Sequence, residues 1–188
     1  MSRHSQIISR RLFVTGALAS TTAACGNGIG SNGAAKIDAR VDSSLTGLHN
    51  RYPATLDLKN KSVGMLVMPL ITKAGFGVGG AFGRGALRVN DVTVDYYSSA
   101  AASVGLQIGA QQFSHVLYFM TPESLQEFRG SSGWAAGADL EYALNDKGGN
   151  VSAETTTALA PVIAVIYGQA GLLVGATLEG TKYTRIIP

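Results

Sequence analysis

Residues 73–85 read KAGFGVGGAFGRG, and six of these thirteen are glycine. Gly75, Gly77 and Gly80 fit G-x-G-x-x-G, the pattern of a phosphate cradle. A cradle needs a helix starting directly after it, so that free amides point at the anion. Here the chain continues Phe82-Gly83-Arg84-Gly85. Three glycines between positions 80 and 85 each weaken a helix by about 1 kcal/mol relative to alanine. No Gly-Lys-Ser/Thr follows. The nucleotide reading fails on both counts.

Period two fits instead. Phe76, Val78, Gly80 and Phe82 share one strand face; Gly75, Gly77, Gly79 and Ala81 share the other. Gly83-Arg84 is predicted as a two-residue turn with glycine first. Asn90-Asp91, which tolerates positive φ, is predicted as the next turn. In that register Phe82 faces Gly85, Leu87 faces Val94 and Gly85 faces Tyr96. Large apolar side chains then stay on one side across three strands. The glycines pave a bare outer face that another layer or a ligand can approach.

Outward from this stretch, residues 63–68 (VGMLVM) are an apolar run ending at Pro69 and are expected as a buried strand. Upstream, Ile37, Val41, Leu45, Leu48 and Tyr52 draw a helical stripe over 36–52, stopped by Pro53. The polar side alternates Lys36, Asp38, Arg40, Asp42, a balance that favours packing on the domain over lying in a membrane surface. A short helix over 55–61 is expected with Thr55 as its cap.

Downstream, residues 103–111 alternate apolar and polar, and 115–120 is expected to return as a further strand. Thr121-Pro122-Glu123 opens a helix, with Thr121 capping, Pro122 in the first position and Gly130 ending it. Residues 138–144 alternate, 146–150 form a turn, and 161–167, 172–178 and 182–187 read as closing strands.

The amino-terminus reads as an address. Arg10-Arg11 is a twin-arginine pair, followed by a short apolar run that closes on Thr22-Ala23-Ala24-Cys25. The run is too short to span a bilayer. Cys25 is the only cysteine. Small residues before it resemble a lipobox, so residues 1–24 are expected to be an export signal of the lipoprotein type. Acylation of Cys25, with palmitate among the chains, is the expected fate of a thiol that would otherwise stand unpaired in an oxidising compartment. Ordinary cleavage near Ala23 or Ala24 is the alternative. Residues 25–35 form a Gly/Asn/Ser-rich tether, and 36–188 form one domain.

The whole chain carries 15 Lys+Arg against 12 Asp+Glu. Arg3, Arg10 and Arg11 belong to the address, which holds no acid, so the body balances at 12 against 12. A neutral body gives no hint of nucleic acid. His49 and His115 have no metal-ligand spacing, and no H-E-x-x-H, G-x-S-x-G or nucleophilic cysteine is present. Asp139 and Glu141 share a strand face without a second carboxylate pair. No catalytic residue, metal or cofactor is expected. Lys73, Arg84 and Arg88 are candidate headgroup-binding cations, with solvation or an Arg88–Asp95 pair as the plainer reading. Trp134 is a candidate interface aromatic or a core residue.

Val63-Gly64-Met65-Leu66-Val67-Met68-Pro69, Lys73-Ala74-Gly75-Phe76-Gly77-Val78-Gly79-Gly80 and Ser103-Val104-Gly105-Leu106-Gln107-Ile108-Gly109-Ala110-Gln111 resemble the SYLF domain family. Phe119-Met120-Thr121, Gly133-Trp134 and Leu178-Glu179-Gly180-Thr181 continue the resemblance, which covers about residues 36–187. It implies a lipid- or membrane-associated module without catalysis. Eukaryotic members bind phosphoinositides through a basic N-terminal helical surface, and yeast members also act on actin filaments. Bacterial members are typically exported or lipid-anchored. The expectation is an α+β fold: an antiparallel β meander curled toward a barrel or sandwich, with an N-terminal helix and short covering helices. The expected function is lipid binding at the periplasm-facing cell envelope. A structural or protein-partner module, anchored only through Cys25, is the alternative.

Overall fold

The computed structural model describes residues 31–137, 140–142, 160–168, 171–172 and 178–188. Helix α1 (Gly33–Arg51) and the short α2 (Thr55–Lys61) lead into two long strands, β1 (Gly64–Val89) and β2 (Val92–Phe119). Helix α3 (Pro122–Gly130) follows, then β3 (Trp134–Ala135), β4 (Leu140–Tyr142), β5 (Val162–Gly168), β6 (Gly171–Leu172) and β7 (Lys182–Ile186). The seven strands form one curled sheet, antiparallel except where β4 runs parallel to β5. The α+β expectation with a curled antiparallel sheet holds.

The meander differs in its path. Residues 83 and 84 do not turn: Gly83 pairs with Ser99 and Arg84 with Ser98 in the middle of the β1–β2 ribbon. The expected return at 115–120 is likewise the end of β2, not a separate strand. Of the two expected turns, Asn90-Asp91 is the one that reverses the chain, at φ 51° and 64°, with Val89 opposite Val92. Two positive φ values at the turn match the right-handed twist of the flanking strands. A bulge beside it, between Leu87 and Arg88, shifts the rest of the register: Leu87 faces Asp95 and Gly85 faces Tyr97.

The glycines allow β1 to double back on itself. A Cβ on Gly85 would collide with the Val67 carbonyl oxygen. One on Gly83 would lie 2.5 Å from the Leu70 carbonyl oxygen, and one on Gly79 2.5 Å from that of Ala74. The layer that approaches the bare face at these positions is therefore the chain's own earlier segment. The alternation expected at 103–111 falls on side chains outside those described at 103–109.

Both faces of the central strands are buried, which explains their unbroken apolar runs. Met65, Val67, Val116, Tyr118, Ile163 and Val165 pack under Ile37, Val41, Leu45 and Leu48 of α1. Leu66, Met68, Leu117, Phe119, Val162, Ala164 and Ile166 face the other way, toward Phe128 of α3 and Tyr183 of β7. Each stripe position within α1 is buried, and Tyr52, which follows the helix as its C-cap, is half-buried. The helix begins at Gly33, so the last three residues of the expected tether are helical.

Two caps behave differently from one another. Thr121 Oγ1 accepts from the Ser124 amide at 3.2 Å, and Pro122 follows in the first turn, as expected. Thr55 does not cap α2. Ala54 holds that position, and the buried Thr55 hydroxyl donates backward to the Tyr52 carbonyl at 2.6 Å. The turn at 146–150 lies outside the described residues. Of the strands expected at 138–144 and 172–178, only residues 140–142 and 172 are described as strand.

Candidate functional site

At about 100° per residue, α1 carries three stripes. Ile37, Val41, Leu45 and Leu48 form the middle one and face the sheet. Asp38 and Asp42 lie on one flank; Lys36 and Arg40 lie on the other, and Arg51 continues their line. Charges that balance along the sequence are thus separated across the helix.

The acidic flank is engaged. Arg88 Nη1 lies 2.6 Å from Asp42, and Arg88 Nη2 lies 4.0 Å from Asp38. Thr93 and Tyr96 donate to the two Asp38 oxygens at 2.8 and 2.7 Å. Burial, and then the hydrogen bond to Asp38, push the Tyr96 phenol up to about 12. It therefore stays a donor at neutral pH.

The basic flank borders a groove. One cavity of about 650 Å³ is lined by Arg40, Arg51, Leu70, Phe113, Ser114 and Tyr167, among others. A second, of about 370 Å³, is lined by Lys36, Arg40, Leu70, Phe82 and Arg84, among others. Arg40, Pro69 and Leu70 belong to both, so the two are adjoining parts of one surface. No carboxylate is among the described residues lining either.

Pro69 shapes this floor. It has no N–H for the β ladder, and a bulge between Met68 and Ile71 sets Pro69 and Leu70 against a single residue, Ser114. The Ser114 hydroxyl donates to the Pro69 carbonyl at 2.7 Å. Leu70 is turned outward and is 36% exposed. At the other end, Tyr167 Oη and Ser44 Oγ share a 2.6 Å hydrogen bond that ties β5 to α1. Burial pushes the Tyr167 phenol up, opposed by its hydrogen bonds with Ser44 and Ser114.

The candidates from the sequence are dispersed. Arg84 lines the smaller cavity. Arg88 pairs with Thr93 across the ribbon, and its side chain, 11% exposed, is held by the α1 carboxylates. Asp95 is not its partner but lies between Arg129 at 3.2 Å and Arg185 at 3.6 Å. Lys73 pairs with Gln111 in the ribbon and lines neither cavity. Trp134 is half-buried in β3, its ring 5.5 Å from Phe128 and 5.8 Å from Tyr183, so it packs the second core. Lys36, Arg40 and Arg51 went unrecognised, although a helical projection of residues 36–51 separates them from the acids. Arg10, Arg11 and Cys25 lie outside the described residues.

His49 and His115 both hold low proton affinity. His115 is buried, bonded through Nε2 to Tyr183 Oη at 2.8 Å, and burial drives it down to about 3. His49 is lowered by burial and by Lys59, against an opposing pull from Asp91. Among the described residues, no three His, Cys, Asp or Glu side chains gather to hold a metal, and no helix is long and apolar enough to cross a membrane.

Cations and apolar side chains converge on a groove whose floor is fixed by the sheet. Residues 100–185 match the family model described as Ysc84: Las17-binding protein actin regulator, which is consistent with the resemblance to the SYLF domain family. The match runs from within β2 to within β7 and includes Phe113, Ser114 and Tyr167 of the groove. No curated protein matches the chain.

Proposed function

We propose that the chain is a non-catalytic lipid-binding module, tethered to the bacterial cell envelope through Cys25 and facing the periplasm. The observation that carries the reading is the groove beside α1, where Lys36, Arg40, Arg51 and Arg84 border exposed Leu70 and Phe82 without a described carboxylate in the lining. Such a surface fits an anionic phospholipid, which offers a phosphate and an acyl chain side by side. Cys25 acylation would hold the module within reach of the membrane, and Arg10-Arg11 would send the folded domain through the twin-arginine route. Arg10→Lys with Arg11→Lys should block that export; normal export of the double variant would refute the route.

The lipid reading is tested with the full chain carrying Cys25→Ser, co-sedimented with phosphatidylglycerol vesicles. Binding should drop when Lys36→Glu and Arg40→Glu are added. Sedimentation unaltered by both changes would remove the groove from the account.

A second reading has one observation in its favour. Val92, Val94 and Ile187 are 63%, 40% and 70% exposed, and none of them lines the groove. The family description names a binding protein, and a protein partner of the envelope would cover this patch. Val94→Asp with Ile187→Asp would then abolish capture of the partner while leaving vesicle binding intact.

A further inference from the structure

Phe82 is 52% exposed, while Phe119 and Phe128 are fully buried. Its place in β1 explains why it stays outside. Gly83 and Gly85, on the opposite strand face, lie against the backbone of residues 67–71. The phenyl ring shares its face with Arg84, two residues on. It is presented by a paired ribbon, with Ala100 opposite Phe82 and Ser98 opposite Arg84. Beside it, across the smaller cavity, stand Lys36, Arg40 and the outward Leu70.

We propose, resting on the lipid-binding reading above, that Phe82 and Leu70 enter the acyl layer of an anionic bilayer while Lys36, Arg40 and Arg84 remain at its phosphates. Charge complementarity selects this occupant. Three cations border the patch, no described carboxylate lines it, and the nearby acids of α1 are turned toward Arg88. Long basic side chains can keep their charged ends in the headgroup layer while their stems follow an apolar neighbour downward. An aromatic ring flanked by such residues is the usual composition of a surface that sits in a membrane interface. A soluble phosphate would use the cations and leave the ring in water. Membrane entry uses both.

The test places a reporter at the ring. The full chain with Cys25→Ser, Trp134→Phe and Phe82→Trp has one tryptophan. Its emission should shift to the blue on phosphatidylglycerol vesicles, be quenched by lipids brominated in the acyl chain, and stay unchanged with soluble glycerol phosphate. Independently, Phe82→Ser in the chain carrying only Cys25→Ser should weaken vesicle binding about tenfold or more. Vesicle binding that depends on Lys36 and Arg40 but leaves the reporter unshifted and the Phe82→Ser affinity unchanged would overturn bilayer entry and leave lipid binding standing. A response to glycerol phosphate equal to that with vesicles would also overturn it. Failure to bind any vesicle would overturn both readings.

Discussion

Arg88 reaches from β1 to Asp42 on α1, with Nη1 2.6 Å from the carboxylate. This contact draws the acidic flank of the helix toward the hairpin and leaves the basic flank at the groove. Arg88 is mostly buried, whereas Asp42 is largely exposed. Arg88→Ala should cost about 1–3 kcal/mol, measured by urea unfolding, because it removes a buried stem and the cation facing Asp38 and Asp42. Asp42→Asn should cost distinctly less, since Asp38 still faces the guanidinium. Equal losses for the two variants would contradict this division of roles.

The glycines separate by what lies over them. Gly85→Ala would drive a methyl into the Val67 carbonyl, and the backbone of a doubled strand has little room to yield. Gly85→Ala should therefore cost several kcal/mol or prevent folding. Gly47 lies inside α1 with nothing within 4 Å of an added Cβ. Gly47→Ala should raise stability by up to about 1 kcal/mol, through helix propensity. Paired denaturation curves give both values, and similar curves for the two variants would refute the doubled-back path of β1.

These same glycines show where sequence reasoning stops. Gly83-Arg84 carries a plausible turn signal, yet a glycine in a strand marks close backbone approach as readily as a turn. The difference lies in Val67 and Leu70, more than ten residues upstream, and no local pattern contains them. Asn90-Asp91 was legible because both side chains favour the positive φ that the turn needs. The unbroken apolar run at 63–68 marked a buried strand but could not say which elements cover its two faces. The groove was half legible. Lys36 and Arg40 could be separated from Asp38 and Asp42 by angle alone, whereas their convergence with Phe82 and Leu70 depends on how the sheet folds.

His115 makes stability depend on pH. Burial holds its folded pKa down to about 3, against about 6.5 in an unfolded chain. Between those values the unfolded state binds more protons, so stability rises with pH there. The contribution is complete above about pH 6.5 and is lost as pH falls toward 3. The slope from this residue approaches 1.4 kcal/mol per pH unit, at most. His49 is lowered as well and adds in the same direction. In urea titrations from pH 7 to 4.5, His115→Phe should flatten the pH profile whatever the loss of the Tyr183 contact costs at neutral pH. A profile parallel to that of the unsubstituted chain would show that His115 does not titrate on unfolding in this window.

The sorted charges of α1 predict how vesicle binding responds to salt. Each cation near an anionic surface contributes about 1 kcal/mol, a contribution that fades beyond a Debye length. Lys36→Gln and Arg40→Gln should each weaken binding to phosphatidylglycerol vesicles about fivefold at low salt, and the double variant should show the shallower salt dependence. Lys61→Gln serves as the control: Lys61 is exposed at the end of α2 and lines neither part of the groove. A mere count of positive charge would make all three single variants equal. The proposed docking makes Lys61→Gln the weak one, because Lys36 and Arg40 line the same cavity as Phe82, so affinity should follow the face of α1 on which a charge stands.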